Sequence, residues 1–167
     1  HGFVCGDYLA DRLEYGAQIS EIRPNAIIAL GLPFDFASKD VIRSVWKVAG
    51  RELLTAYGLR SLSPEHPSFK GKYIGNQKQR DLVYHQGTVW TFPLVYFAKV
   101  AVKASEGEMS REDICKELSS YVWYLRRGIM KGEFSSVAEV WDGIDPHFPK
   151  GCPAQAWSAF ALLEIEG

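Results

Sequence analysis

The sequence predicts an all-α chain. Apolar residues recur at helical spacing in several stretches, and neither a βαβ alternation nor a run of strands interrupts them. With 167 residues and 47% hydrophobic content, the chain is long and apolar enough to bury one core. It shows no repeat of fixed short period and no low-complexity stretch, so a single domain is expected.

The elements follow in chain order. A short helix is expected from about Pro24 to Leu30. Ser38 is the N-cap of a longer one, in which Val41, Ile42, Val45, Trp46, Ala49, Leu53 and Leu54 line one side. Tyr57 is its last residue and Gly58 its stop. Thr88 to about Ala104 reads as a buried helix with Pro93 in its first turns, where a missing N–H costs least. Ser110 and Asp113 have capping-box spacing and open a helix through Ile114, Leu118, Tyr121, Val122 and Leu125. Arg126 and Arg127 close it with charge that suits the negative helix end. A last helix is expected from about Ala154 to Glu164.

Two connections, 58–87 and 128–153, lack periodicity and exceed the length at which loops are idle. They carry Phe69, Tyr73, Tyr84 and His85 in the first, and Phe134, Trp141, His147 and Phe148 in the second. Loops this aromatic must pack, and packed loops on a rigid scaffold are where sites are built.

Composition excludes several functions. A formal net charge of −1 supplies no field for nucleic acid or an anionic membrane. No apolar run approaches the roughly 18 residues that a membrane span needs. Cys5, Cys115 and Cys152 have no metal-ligand spacing, and an odd, sparse count suits a reducing cytoplasm. The opening His1-Gly2-Phe3-Val4 is neither an initiator Met nor a basic-led signal peptide, which points to a piece of a longer chain.

A sugar site needs flat apolar faces for ring C–H groups, and amides, imidazoles or carboxylates for hydroxyls. Tyr84-His85-Gln86-Gly87-Thr88-Val89-Trp90 offers that mixture where a loop enters a helix. The same residues also read as a tightly packed loop–helix junction. Glu139, beside Trp141 and Asp142, suits a general base whose ionisation is set by apolar neighbours. A surface or ion-paired glutamate is its other reading. Asp142, Asp145 and His147 match no cation loop, and turn chemistry around Pro146 explains them. No P-loop, G-x-S-x-G elbow or dinucleotide fingerprint occurs.

Several segments, in order, resemble the C-terminal catalytic domain of glycogen debranching enzymes, the amylo-α-1,6-glucosidase family. They are Arg23-Pro24-Asn25 with Leu32-Pro33, Tyr57 to Pro64, Tyr73-Ile74-Gly75, Tyr84 to Trp90, Ala138-Glu139, and Gly151 to Ser158. The resemblance implies roughly half of an (α/α)6 toroid of glucoamylase-like six-hairpin form. It implies an inverting cytoplasmic hydrolase of glycogen catabolism that removes glucose from α-1,6 branch points and needs no metal or cofactor. By position, Glu139 resembles the general base, and Tyr84, His85, Gln86, Trp90, Trp141 and Trp157 fall in motifs that line the glucose pocket. The family's general acid lies in a Trp-Met-Asp segment that this sequence lacks; Asp81 and Asp142 are the nearest substitutes. The partners implied are an α-glucan and either the missing N-terminal part of the same enzyme or a second copy, and the lone chain is expected to be inactive. Another (α/α)6 glycosidase on a different α-glucoside, or a non-catalytic carbohydrate-binding or assembly module, are the rival readings.

Overall fold

The computed structural model describes residues 2–105, 109–110, 112–114, 116, 119, 123, 126–127 and 136–166. Within them the fold is mixed α/β, not all-α. Two small hairpins come first, β1 (Val4–Cys5) with β2 (Tyr8–Leu9) and β3 (Arg12–Glu14) with β4 (Ala17–Ile19). Helices α1 (Asn25–Gly31) and α2 (Lys39–Glu52) follow. Then β5 (Leu54–Thr55), β6 (Gly58–Arg60), β7 (Val89–Trp90), β8 (Val140–Trp141) and β9 (Pro149–Lys150) join into one antiparallel sheet in sequence order. Helices α3 (Gln77–Asp81) and α4 (Pro93–Ala104) lie between its strands in the chain, and α5 (Ala156–Glu166) ends the described part.

Local chemistry accounts for the helices. Ser38 caps α2 by accepting the Val41 N–H, and Ile42, Val45, Val48 and Ala49 form its buried side. Helix α4 starts with Pro93 at its first position, where the absent N–H is not needed. Ser110 and Asp113 form the expected cap: the Ser110 hydroxyl accepts the Asp113 N–H at 3.1 Å, and the Asp113 carboxylate accepts the Ser110 N–H at 3.2 Å. Leu118, Tyr121, Val122 and Leu125 of the helix expected after it lie outside the described residues, as do Cys115 and Phe134.

The sheet is the correction, and it overturns the all-α scaffold and the half-toroid drawn from the resemblance. Helix α2 ends at Glu52 and not at Tyr57, because Leu54 to Gly58 turn back as a hairpin. The Thr55 hydroxyl fixes that turn by accepting the Tyr57 N–H at 3.2 Å and donating to the Gly58 carbonyl at 2.9 Å. Thr88 to Trp90 is likewise strand and approach to strand rather than helix, as its β-branched and aromatic residues favour. The supposed loops contribute β6, β8 and β9. Strands of two or three residues are too short to show alternation.

The core sits where α4 packs on α1, α2 and α5. Ile27, Leu30, Val45, Leu94, Phe97, Val100 and Leu162 meet there, and Leu59, Val89 and Trp141 bring in the sheet. Burying a side chain such as Phe97 contributes roughly 1.5–3 kcal/mol. Among the described residues no helix is long and apolar enough to cross a membrane.

Candidate active site

The segment from Tyr84 to Trp90 is shaped by its glycine. Gly87 has φ +136°, and a Cβ there would stand 2.7 Å from the Lys70 carbonyl oxygen and 2.7 Å from the Phe69 ring. Only glycine fits both the angle and the space. Its N–H donates to the Ser61 hydroxyl at 2.9 Å. The Thr88 hydroxyl donates to the Tyr84 carbonyl at 2.6 Å and accepts the Trp90 indole N–H at 3.1 Å. These bonds hold Trp90 against His85, with the rings nearly parallel (9°) and their centroids 5.6 Å apart.

Aromatic contacts extend the surface. Trp90 meets Phe92 edge-on at 6.1 Å, and Phe92 stacks on Trp157 at 4.6 Å. Trp157 remains 51% exposed beside that stack. Together with Arg23, Asn25 and Ser61, these rings line a cleft of about 260 Å³. Its lining is mostly apolar and aromatic, with polar groups from Arg23, Asn25, Ser61 and His85, a mixture that suits a pyranose ring.

Arg23 ties the polar side together. Its guanidinium donates to the carbonyls of Ser61 at 3.0 Å and His85 at 2.5 Å, to the Gln86 side-chain oxygen at 2.9 Å, and to Glu21 at 2.7 Å. Partial burial, and then the positive charge of Arg23, lower the His85 imidazole below its ordinary value. The hydrogen bond from Arg23 likewise lowers Glu21.

Glu139 occupies the bend before β8. It bonds the Cys152 backbone twice: its N–H donates to the Cys152 carbonyl, and its side-chain Oε2 accepts the Cys152 N–H, both at 2.8 Å. Its Oε1 accepts the Tyr84 hydroxyl. Burial, and then the hydrogen bond and charge of Glu139, hold the Tyr84 phenol well above its ordinary value.

The structure therefore brings His85, Trp90 and Trp157 to one cleft, with Tyr84 linking them to Glu139. Gln86 stands behind, bound by Arg23. Trp141 does not join them. It pairs with Val89 while Trp90 pairs with Val140, so the two indoles lie on opposite faces of the sheet. Trp141 is 5% exposed, stacks on Tyr57 at 4.2 Å and donates to the Thr91 hydroxyl at 3.3 Å. Asp142 is a buried brace: its carboxylate accepts the Tyr73 N–H at 2.8 Å, and its carbonyl meets His147 Nδ1 at 2.7 Å. Among the described residues no three His, Cys, Asp or Glu side chains gather to hold a metal ion.

Arg23, Asn25 and Phe92 were missed as site residues. The Arg-Pro-Asn motif was a signal for the first two, because it sits at the start of α1. Phe92 carried none, since its neighbours read as helix.

A family model described as amylo-alpha-1,6-glucosidase matches residues 5–164. The chain is also 26% identical over 165 residues to the glycogen debranching enzyme of Saccharomyces cerevisiae, a match covering 87% of this chain. It spans about 10% of the length of that relative. The match runs through the cleft, the Glu139 bend and the core, and the chain belongs to the amylo-α-1,6-glucosidase family.

Proposed function

We propose that this chain is the C-terminal portion of the catalytic domain of an inverting glycoside hydrolase that removes glucose from α-1,6 branch points of glycogen-like glucans. The observation that carries this reading is a carboxylate, Glu139, held on both oxygens and tied through Tyr84 to His85 and Trp90 of an aromatic, sugar-sized cleft, in a chain of this family. Glucose would lie against Trp90 and Trp157, with His85 beside its hydroxyls and Gln86 held behind by Arg23. Glu139 acts as general base and takes a proton from the water that attacks the anomeric carbon. An inverting enzyme needs a second carboxylic acid roughly 6.5–9.5 Å away to protonate the leaving oxygen. That acid is supplied from outside this chain, by the upstream part of the same protein. Glycogen being the substrate, the setting is cytoplasmic.

The test uses the complete protein and a branched limit dextrin. Replacing Glu139 by Gln keeps the shape and removes the base, and kcat should fall by about 10²–10⁴-fold. Proton NMR of the first sugar released should show the β-anomer in the unmodified protein. Turnover that survives Glu139→Gln removes the base assignment. Dextrin binding without turnover in the unmodified protein would make the chain a carbohydrate-binding module instead.

A further inference from the structure

A general base works only while its carboxylate holds one orientation toward the water, and misplacement by about 1 Å costs rate rather than binding. Glu139 lies on a bend, so no regular element holds its side chain. The restraint comes from three other places. The Cys152 N–H holds Oε2 at 2.8 Å. Gly151, at φ +70°, leaves the space the carboxyl group occupies; a Cβ there would stand 3.2 Å from the Glu139 carboxyl carbon. Tyr84 donates its hydroxyl to Oε1.

Tyr84 is itself held at both ends. Its carbonyl accepts the Thr88 hydroxyl at 2.6 Å and the Trp90 indole N–H at 3.3 Å. Its ring lies edge-on to Trp90 at 4.9 Å and to His85 at 4.8 Å, and tilted against Tyr73 at 5.9 Å. A phenol packed this way has little rotamer freedom left to lose when it orients a neighbour. Since the phenol is also held above its ordinary value, it stays a donor throughout any working pH range.

We propose that Tyr84 is a positioning residue for Glu139, acting through its hydroxyl on the carboxylate and not through contact with sugar. The role rests on Glu139 being the base. It makes the Tyr84–Trp90 contact the link between cleft and base, since the ring that walls Trp90 also aims the carboxylate.

The experiment compares Tyr84→Phe with the unmodified complete protein on a branched dextrin, in two backgrounds. With Glu139 present, kcat should fall about tenfold while KM stays within about twofold. With Glu139→Ala and added azide as external nucleophile, no carboxylate remains to be aimed. Tyr84→Phe should then change the rescued rate less than about twofold. A raised KM with kcat intact overturns the proposal, as does a tenfold loss that persists under azide rescue. The split between kcat and KM decides alone where azide restores no turnover. If Glu139→Ala keeps full turnover without azide, the base assignment falls and this inference with it; a persistent Tyr84→Phe loss beside an inactive Glu139→Ala sinks the positioning role alone. Gly151→Ala crowds the same carboxylate from its other side and covers the case in which Tyr84→Phe fails to fold. It should also lower kcat at constant KM, and a KM-only effect counts against the proposal.

Discussion

Arg23 shows how one side chain organises the cleft. Its side chain is 13% exposed and spends its donors on Glu21, Ser61, His85 and Gln86. A lysine could not reproduce that planar fork. Partial burial of His85, and then that same charge, set a pH dependence. His85 lies below its ordinary value of 6.5, so between the two values the unfolded chain holds more protons than the folded one. Stability from this group is full above about 6.5 and declines as pH falls through the lower folded value. Glu21, lowered from 4.5, acts in the same direction further down. The urea midpoint should therefore drop between pH 7 and pH 5, and His85→Gln should flatten that drop. An unchanged slope in the variant would show that His85 does not carry it. At this scale the sequence was partly legible. His85, Trp90 and Trp157 have the residue types of a sugar surface and reach one cleft, whereas Trp141 has the same type and is carried to the other face of the sheet.

Among the elements, α3 illustrates a helix held by its ends. It has five residues and none is buried, so packing contributes little to it. Asn76 instead closes a reciprocal box: its side chain accepts the Gln79 N–H at 3.0 Å, and the Gln79 side chain accepts the Asn76 N–H at 2.9 Å. The Tyr84 N–H then donates to the Arg80 carbonyl at 2.9 Å, which connects this helix to the candidate site. Asn76→Ala should cost about 1 kcal/mol locally and speed amide exchange across 77–84, with α2 and α4 unaffected. Uniform acceleration over the whole chain would contradict a local role. Helices α2 and α4 were legible because helical spacing of apolar residues is written along one segment. The strands were not, since β5, β7, β8 and β9 have two residues each and cannot show a period.

For the molecule as a whole, the proposed chemistry needs more chain than is present. The match spans about 10% of the length of the yeast relative, and the proposed function puts the general acid outside these residues. The chain alone should release no glucose from a branched dextrin, while the complete protein should do so under the same conditions. Glucose release by the lone chain at a comparable rate would place both carboxylates within these 167 residues. Helix α5 leaves Trp157, Phe160 and Leu163 largely exposed, and Trp157 among them lines the cleft. By itself the sequence determined the helices that build the core, the glycine at 87 that shapes the cleft segment, and a motif series that marks the family. Only the tertiary structure decided that a five-stranded sheet joins the two aromatic connections and that Trp90 and Trp141 part across it. Tyr84 meeting Glu139 belongs with them, at a separation of 55 residues. A helix bonds to its own neighbours and so leaves a local pattern, whereas strand pairing and a side-chain bond across the fold depend on residues far apart in the chain.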